Sequence, residues 1–152
     1  TLSDFPEMPV VALNWDTIIG NSLLAQFLDV DVDQERQTAE LLINGLNSDQ
    51  RTAYDKVLSS IDEYRGQTFF LNGAGGCGKT YLYKALIHHI RGRHQIVLCV
   101  ASSGIAALLL PNGRTAHSMF KIPIDGLDLD SRCTIPKESN LAALIRAAIV
   151  IV

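Results

Sequence analysis

Residues 73–80 read Gly-Ala-Gly-Gly-Cys-Gly-Lys-Thr, a full match to G-x-x-x-x-G-K-[ST]. So dense a run of glycine disfavours helix and strand and favours a tight loop whose backbone reaches angles closed to other residues. Gln67–Leu71 before it is β-rich and apolar, which predicts a buried strand. Tyr81–Ile90 after it places Leu82, Ala85, Leu86 and Ile90 at helical spacing. Strand, Gly-rich turn and helix make up the phosphate-binding loop of nucleotide-hydrolysing proteins. Main-chain amides turn inward onto phosphate oxygens, and the helix N-terminus adds its dipole. On this reading Gly73, Ala74, Gly75, Gly76, Cys77 and Gly78 form the cradle for the phosphates of a nucleotide. Lys79 reaches the β- and γ-phosphates, and the Thr80 hydroxyl is a ligand for Mg²⁺. Lys79 and Thr80 are therefore the candidate catalytic residues. The competing reading is a plain Gly-rich turn between two core elements.

A chain of 152 residues has length for about one domain. With 47% hydrophobic and 19% charged residues it reads as globular. A net charge of −3 argues against a basic nucleic-acid coat protein or a membrane-surface binder, though not against a local groove for DNA. Cys77, Cys99 and Cys133 form no C-x-x-C pair, a pattern that suits a reducing compartment. No apolar run reaches the roughly eighteen residues of a membrane span, and no secretory signal pattern opens the chain. Thr1 and the unpunctuated apolar run Ala147–Val152 read as cut ends.

Residues 1–45 are expected to be a helical lead-in without visible chemistry, after an extended stretch holding Pro6 and Pro9. Its helices are predicted over Asn14–Leu28 and Asp31–Ile43, and Asn44-Gly45 stops the second. Trp15 and Phe27 read as core residues, and the acids Asp29, Asp31, Asp33 and Glu35 as a solvated helix start. Asn47 and Gln50 have the spacing of a capping box for a helix running towards Arg65-Gly66. Further strands are predicted over Gln95–Val100 and Ala148–Val152. Helices are predicted over Ile105–Leu110, Thr115–Phe120 and Glu138–Arg146, with loop over 121–137. Strands alternating with helices predict an α/β fold, a parallel sheet with helices on both faces. His88, His89 and His94 have no Cys or carboxylate at ligand spacing, so a metal site is not expected there.

Four segments in order resemble the Pif (petite integration frequency) family of superfamily-one DNA helicases, including those of Helitron-type transposons. They are Leu46-Asn-Ser-Asp-Gln50, Gly73–Thr80, Ala101-Ser-Ser-Gly-Ile-Ala-Ala107 and Gly113-Arg-Thr-Ala-His-Ser118. The resemblance covers residues 46–152 and implies a partial RecA-like P-loop motor domain. That motor would hydrolyse ATP and move 5′-to-3′ on single-stranded DNA. It also implies adenine recognition by Gln50, whose carboxamide matches N6 and N7 of that base. Helix capping is the rival reading of Gln50. Ser102, Ser103, Gly104, Thr115, His117 and Ser118 would lie along the DNA backbone, with short-helix capping as their rival. Roles in DNA repair, recombination and telomere maintenance, and placement in the nucleus or mitochondrion, are implied by the resemblance alone.

Motors of this kind also use an Asp-Glu pair after a later strand and a second RecA-like domain. Neither is present here, so these 152 residues are expected to bind nucleotide weakly, to lack hydrolysis and to be unable to unwind DNA. In the resembled fold a strand from later sequence also separates the loop's strand from the acid-bearing one. Its absence is expected to leave a gap or a different pairing. A non-catalytic nucleotide-binding module or transposon remnant is the alternative, and a small-molecule kinase a third, weakened by the lack of an arginine-rich lid.

Overall fold

A computed structural model describes residues 21–125 and 128–152. The expectations for residues 1–20, Trp15 and the two early prolines included, lie outside that range. The elements run α1 (Ser22–Leu28), α2 (Val32–Asn44), α3 (Ser48–Asp62), α4 (Lys79–Gly92), β1 (Ile96–Leu98) and β2 (Val100–Ala101). Then come α5 (Gly104–Ala107), β3 (Arg114–Thr115), α6 (Ala116–Phe120), α7 (Asn140–Ala147) and β4 (Ala148–Ile151).

Local sequence sets most of these boundaries. The Asn21 side chain accepts from the amides of Leu23 and Leu24, and the Asp31 side chain from those of Asp33 and Gln34. Asn47 and Gln50 form both halves of the expected capping box. Each such cap is worth about 1 kcal/mol. The third helix stops at Asp62, short of the expected Arg65-Gly66, and Tyr64 then turns left-handed at φ 52°.

β1 pairs in parallel with β4, and β2 in parallel with β3. The stretch predicted as one strand over 95–100 therefore gains a second neighbour on its other edge: the Cys99 carbonyl accepts from the Arg114 amide at 3.0 Å while the Val100 amide still donates to the Val152 carbonyl at 2.8 Å. Alternation along this stretch builds two cores. Ile96 and Leu98 pack with Leu24, Phe27, Met119 and Leu144 from α1, α6 and α7. Val97 and Cys99 pack with Ile87 and Ile90 of α4. Helices thus cover both faces of the β1–β4 pair. A third cluster joins Tyr54 of α3 to Leu82, Ala85 and Leu86 of α4, with Leu42 and Ile43 of α2 against it. The described part of the segment read as a lead-in, residues 21–45, is therefore built into the same cores as the rest.

One predicted strand is missing. Gln67–Leu71 has no ladder partner among the described residues and is not a strand; Phe70 is 92% exposed. β propensity cannot hold a strand whose amides find no neighbouring backbone. Between this segment and β4 lies a groove of about 1100 Å³, floored by Leu82, Tyr83 and Leu86. The expected gap between the loop's segment and the last strand is thus present.

Glu35 also departs from expectation. It is not a solvated acid but lies under α4, with Oε2 2.5 Å from His88 Nδ1. His89 and His94 are engaged as well: His89 Nδ1 with the Tyr54 hydroxyl at 2.8 Å, His94 Nε2 with the Leu28 carbonyl at 3.1 Å.

Burial pushes the Tyr54 hydroxyl up to about 12. Burial first, and then the charge of Arg93, lowers the pKa of His89. On acidification the unfolded chain takes up the histidine proton before the native one does. The stability tied to neutral His89 is therefore complete above about pH 6.5 and lost as pH falls through the depressed native value. His89→Gln is expected to flatten the fall of Tm with acidification below about pH 6.5; an unchanged slope would contradict this. The groove gives a second expectation. Exposed aromatic and β-edge surface promotes association. Phe70→Ser combined with Ile151→Lys should therefore lower light scattering at high concentration while leaving helical circular dichroism intact. Scattering equal to that of the unsubstituted chain would show that the groove does not drive association.

Candidate nucleotide and nucleic-acid sites

The glycine loop stays irregular between Asn72 and Gly78, and α4 begins at Lys79. Gly76 and Gly78 take φ of 76° and 83°, a region where a Cβ costs about 1–2 kcal/mol. Gly78 is the N-cap of α4 and offers no side chain to its first turn. The amides of Gly75, Gly76, Gly78, Lys79 and Thr80 bond no acceptor among the described residues. Five open donors at a helix N-terminus are the arrangement by which main-chain groups can receive an anion.

Lys79 folds over the mouth of this loop. Its Nζ donates to the carbonyls of Gly73 at 2.7 Å and Ala74 at 2.8 Å, with Cys77 Sγ 3.7 Å away. An ammonium held by loop carbonyls and a thiol can exchange them for phosphate oxygens, which add the attraction of an opposite charge. Gln50 closes the other side. Its Oε1 accepts from the Asn47 amide at 3.0 Å, and its Nε2 donates to the carbonyls of Cys77 and Gly78 at 3.3 and 3.4 Å. The capping reading of Gln50 is thus realised, and the same carboxamide also touches the loop. Gln50, Gly73, Cys77 and Lys79 line one cleft of about 300 Å³ together with Asn47, Asn72 and Asp49. Ala74, Gly75 and Gly76 are exposed and do not line it.

The groups a nucleoside triphosphate needs are present in kind: an ammonium and a carboxamide line one cleft, and open amides follow it in the loop and the first turn of α4. Mg²⁺ fits less completely. Thr80 lines the neighbouring large groove, where Asp49 is the one carboxylate among the described lining residues. A magnesium ion bound with nucleotide takes one or two carboxylates besides phosphates and water. Thr80 with the phosphates themselves is the set the loop offers. Sequence reasoning passed over Asp49, whose place at the rim of both clefts no local motif signals.

The nucleic-acid candidates assemble separately. Parallel pairing sets Val100 opposite Arg114 and Ala101 opposite Thr115, so both strands end on the same side. Ser102, Ser103 and Gly104 follow one strand; Thr115, His117 and Ser118 close the other. Ser103 Oγ accepts from the Ala106 amide at 3.3 Å, and Thr115 Oγ1 from the Ser118 amide at 3.2 Å. Both hydroxyls therefore cap helices, as the rival reading had it, yet each keeps its own O–H to donate. Ser102, Gly104, His117 and Ser118 are exposed, and Arg114 stands beside them with its guanidinium 5.8 Å from the Phe27 ring centre. None of these residues lines the nucleotide cleft.

A sequence model of the PIF1-like helicase family matches residues 45–152. An ATP-dependent DNA helicase PIF4 of Trypanosoma brucei brucei is 35% identical over 80 residues, 53% of this chain and 9% of that protein. An ATP-dependent DNA helicase Pif1 of a Psychrobacter species is 46% identical over 59 residues, 39% of this chain and 9% of that protein. A Pif1 of Bdellovibrio bacteriovorus is 35% identical over 79 residues, 52% of this chain and 16% of that protein. The aligned part of the chain thus spans between 9% and 16% of these relatives.

The loop geometry separates two glycines. A Cβ on Gly78 would run into the Gln50 amide, whereas one on Gly75 meets nothing within 4 Å. Gly78→Ala is expected to destabilise the chain by about 1–2 kcal/mol in denaturant melts, and Gly75→Ala by less than about 0.5 kcal/mol. Equal effects would contradict this loop conformation.

Proposed function

The chain belongs to the PIF1-like helicase family, and on that premise we propose that it contributes the nucleotide-gripping part of an ATP-dependent DNA helicase motor. The observation that carries this reading is the set of unbonded amides at the start of α4, with Lys79 folded over them. Nucleotide phosphates would take those amides and the ammonium together. ATP held there supplies the phosphoanhydride bond whose cleavage drives the motor, with Mg²⁺ on Thr80 and the phosphates. Gln50 would release the loop carbonyls to reach the base, or hold the loop and leave the base to its neighbours.

Single-stranded DNA is the proposed partner of the face made by Ser102–Gly104 and Thr115–Ser118. Exposed hydroxyls, main-chain groups and Arg114 suit contact with a phosphate backbone and carry no base code. Movement in the 5′-to-3′ direction belongs to the same proposal and rests on the family. Hydrolysis is proposed to need an acidic pair and a second domain besides these residues, since Lys79 and Thr80 alone leave the attacking water without an orienting group. Work on DNA in repair, recombination or telomere maintenance, in nucleus or mitochondrion, is proposed on the same family ground.

The test is a titration of the chain with a fluorescent ATP analogue, in parallel with Lys79→Ala. Loss of the Lys79 charge is expected to weaken binding at least tenfold, consistent with about 1.5–3 kcal/mol for a hydrogen bond to a charged group. Equal affinity of the two proteins would remove the loop from the account. Labelled oligothymidylate should bind the same chain more weakly as salt rises; salt-independent binding, or none, would count against the DNA face.

A further inference from the structure

Arg91 is one of the few charged side chains buried in the described structure, with a relative exposure of 5%. It sits on the last turn of α4, the helix whose first turn carries Lys79 and Thr80. One arm of its guanidinium donates to the Pro111 carbonyl at 3.1 Å. The other lies 3.9 Å from Glu35 Oε1, the acid whose second oxygen meets His88. Arg93, two residues on, pairs with Asp62 at the surface instead.

Pro111 opens the turn that leads into β3. Asn112 takes φ 52°, and a Cβ on Gly113 would run into the Ala107 carbonyl, so this turn packs closely against α5. From it the chain passes directly to Arg114, bonded to the Cys99 carbonyl, and then to Thr115, His117 and Ser118. A rigid helix thus has phosphate-binding groups at one end and, at the other, a buried side chain fastened to the root of the face proposed for DNA. A planar guanidinium can hold two partners in fixed directions, which an ammonium cannot.

We propose that Arg91 is a positioning residue that ties α4 to the Pro111 turn, so that nucleotide binding and single-stranded DNA binding by this chain are coupled through it. The proposal rests on the nucleotide and DNA sites proposed above. Its physical basis is continuity: α4 is clamped by the core as one rigid body, so load placed on its first turn by a phosphate is carried along the helix to the buried bond between Arg91 and the Pro111 carbonyl. Coupling between two sites is reciprocal, so it reads out as a ratio of affinities.

The experiment measures the Kd of the fluorescent ATP analogue with and without saturating oligothymidylate, for the unsubstituted chain, Arg91→Lys, Arg91→Met and Glu35→Gln. The unsubstituted chain is expected to show a ratio of about fivefold or more, within the usual range for coupled sites. Arg91→Lys keeps the charge beside Glu35 but cannot span both partners. It should bind each ligand alone as the unsubstituted chain does, with the ratio falling towards one. Arg91→Met should do the same; if it fails to fold, Arg91→Lys decides. Glu35→Gln leaves the bond to Pro111 in place and should lower Tm while keeping the ratio. A ratio near one in the unsubstituted chain overturns the proposal, as does an unchanged ratio in either folded Arg91 variant. Loss of the ratio in Glu35→Gln also overturns it, since the effect would then be a general loosening. Failure of the unsubstituted chain to bind either ligand is a different result, seen before any ratio is formed, and it refutes the proposed sites themselves.

Discussion

The burial of α4 is the constraint on which the rest of the molecule depends. Ala85, Ile87 and Ile90 of this helix are fully buried. Its two sides enter separate clusters, one with α2 and α3, the other with β1 and β4. Each large aliphatic side chain buried there contributes about 1.5–3 kcal/mol. A helix held on both sides has little freedom to turn, so the direction of its first-turn amides is fixed by the core and not by the loop. The loop needs only to leave those amides unbonded, and its glycines do that.

Parallel pairing carries the same logic to the second face. β1 is clamped between α4 and the α1–α6–α7 cluster, and the next residues pass to β2 and its partner β3. Ser102 and Thr115 are therefore placed by the core that places Lys79. The groove beside β4 is the part the chain does not fill: Phe69 and Phe70 stand exposed across from Ile151. The apolar pattern of Gln67–Leu71 suits burial on a sheet, and no described strand supplies the ladder it needs.

What the sequence made legible follows the range of the forces involved. Caps are local, and Asn47, Ser103 and Thr115 all act within three residues of where they stand, so capping was legible for each, for Ser103 only as the rival of contact with DNA. The glycine loop was legible because its conformation depends on the glycines themselves. The Gln67–Leu71 strand was misread because pairing is non-local: its residue types favour a strand, but only a neighbour can make one. Glu35 and Arg91 were hidden for the same reason. Both lie in stretches that look like solvated charge, and only the packing of α2 on α4 brings Glu35 against His88 and Arg91. Gln50 carried two readings at once, and the fold realises the cap while bringing the carboxamide to the loop.

Main-chain amides that open the α4 helix are the central claim, and amide chemical shifts report on them one by one. A ¹⁵N-labelled chain titrated with a non-hydrolysable ATP analogue and Mg²⁺ should show the largest shifts at Gly75, Gly76, Gly78, Lys79 and Thr80. The shifts should saturate together at one affinity. Amides of this loop that stay in place while others move, or that show no saturation at all, would contradict the account.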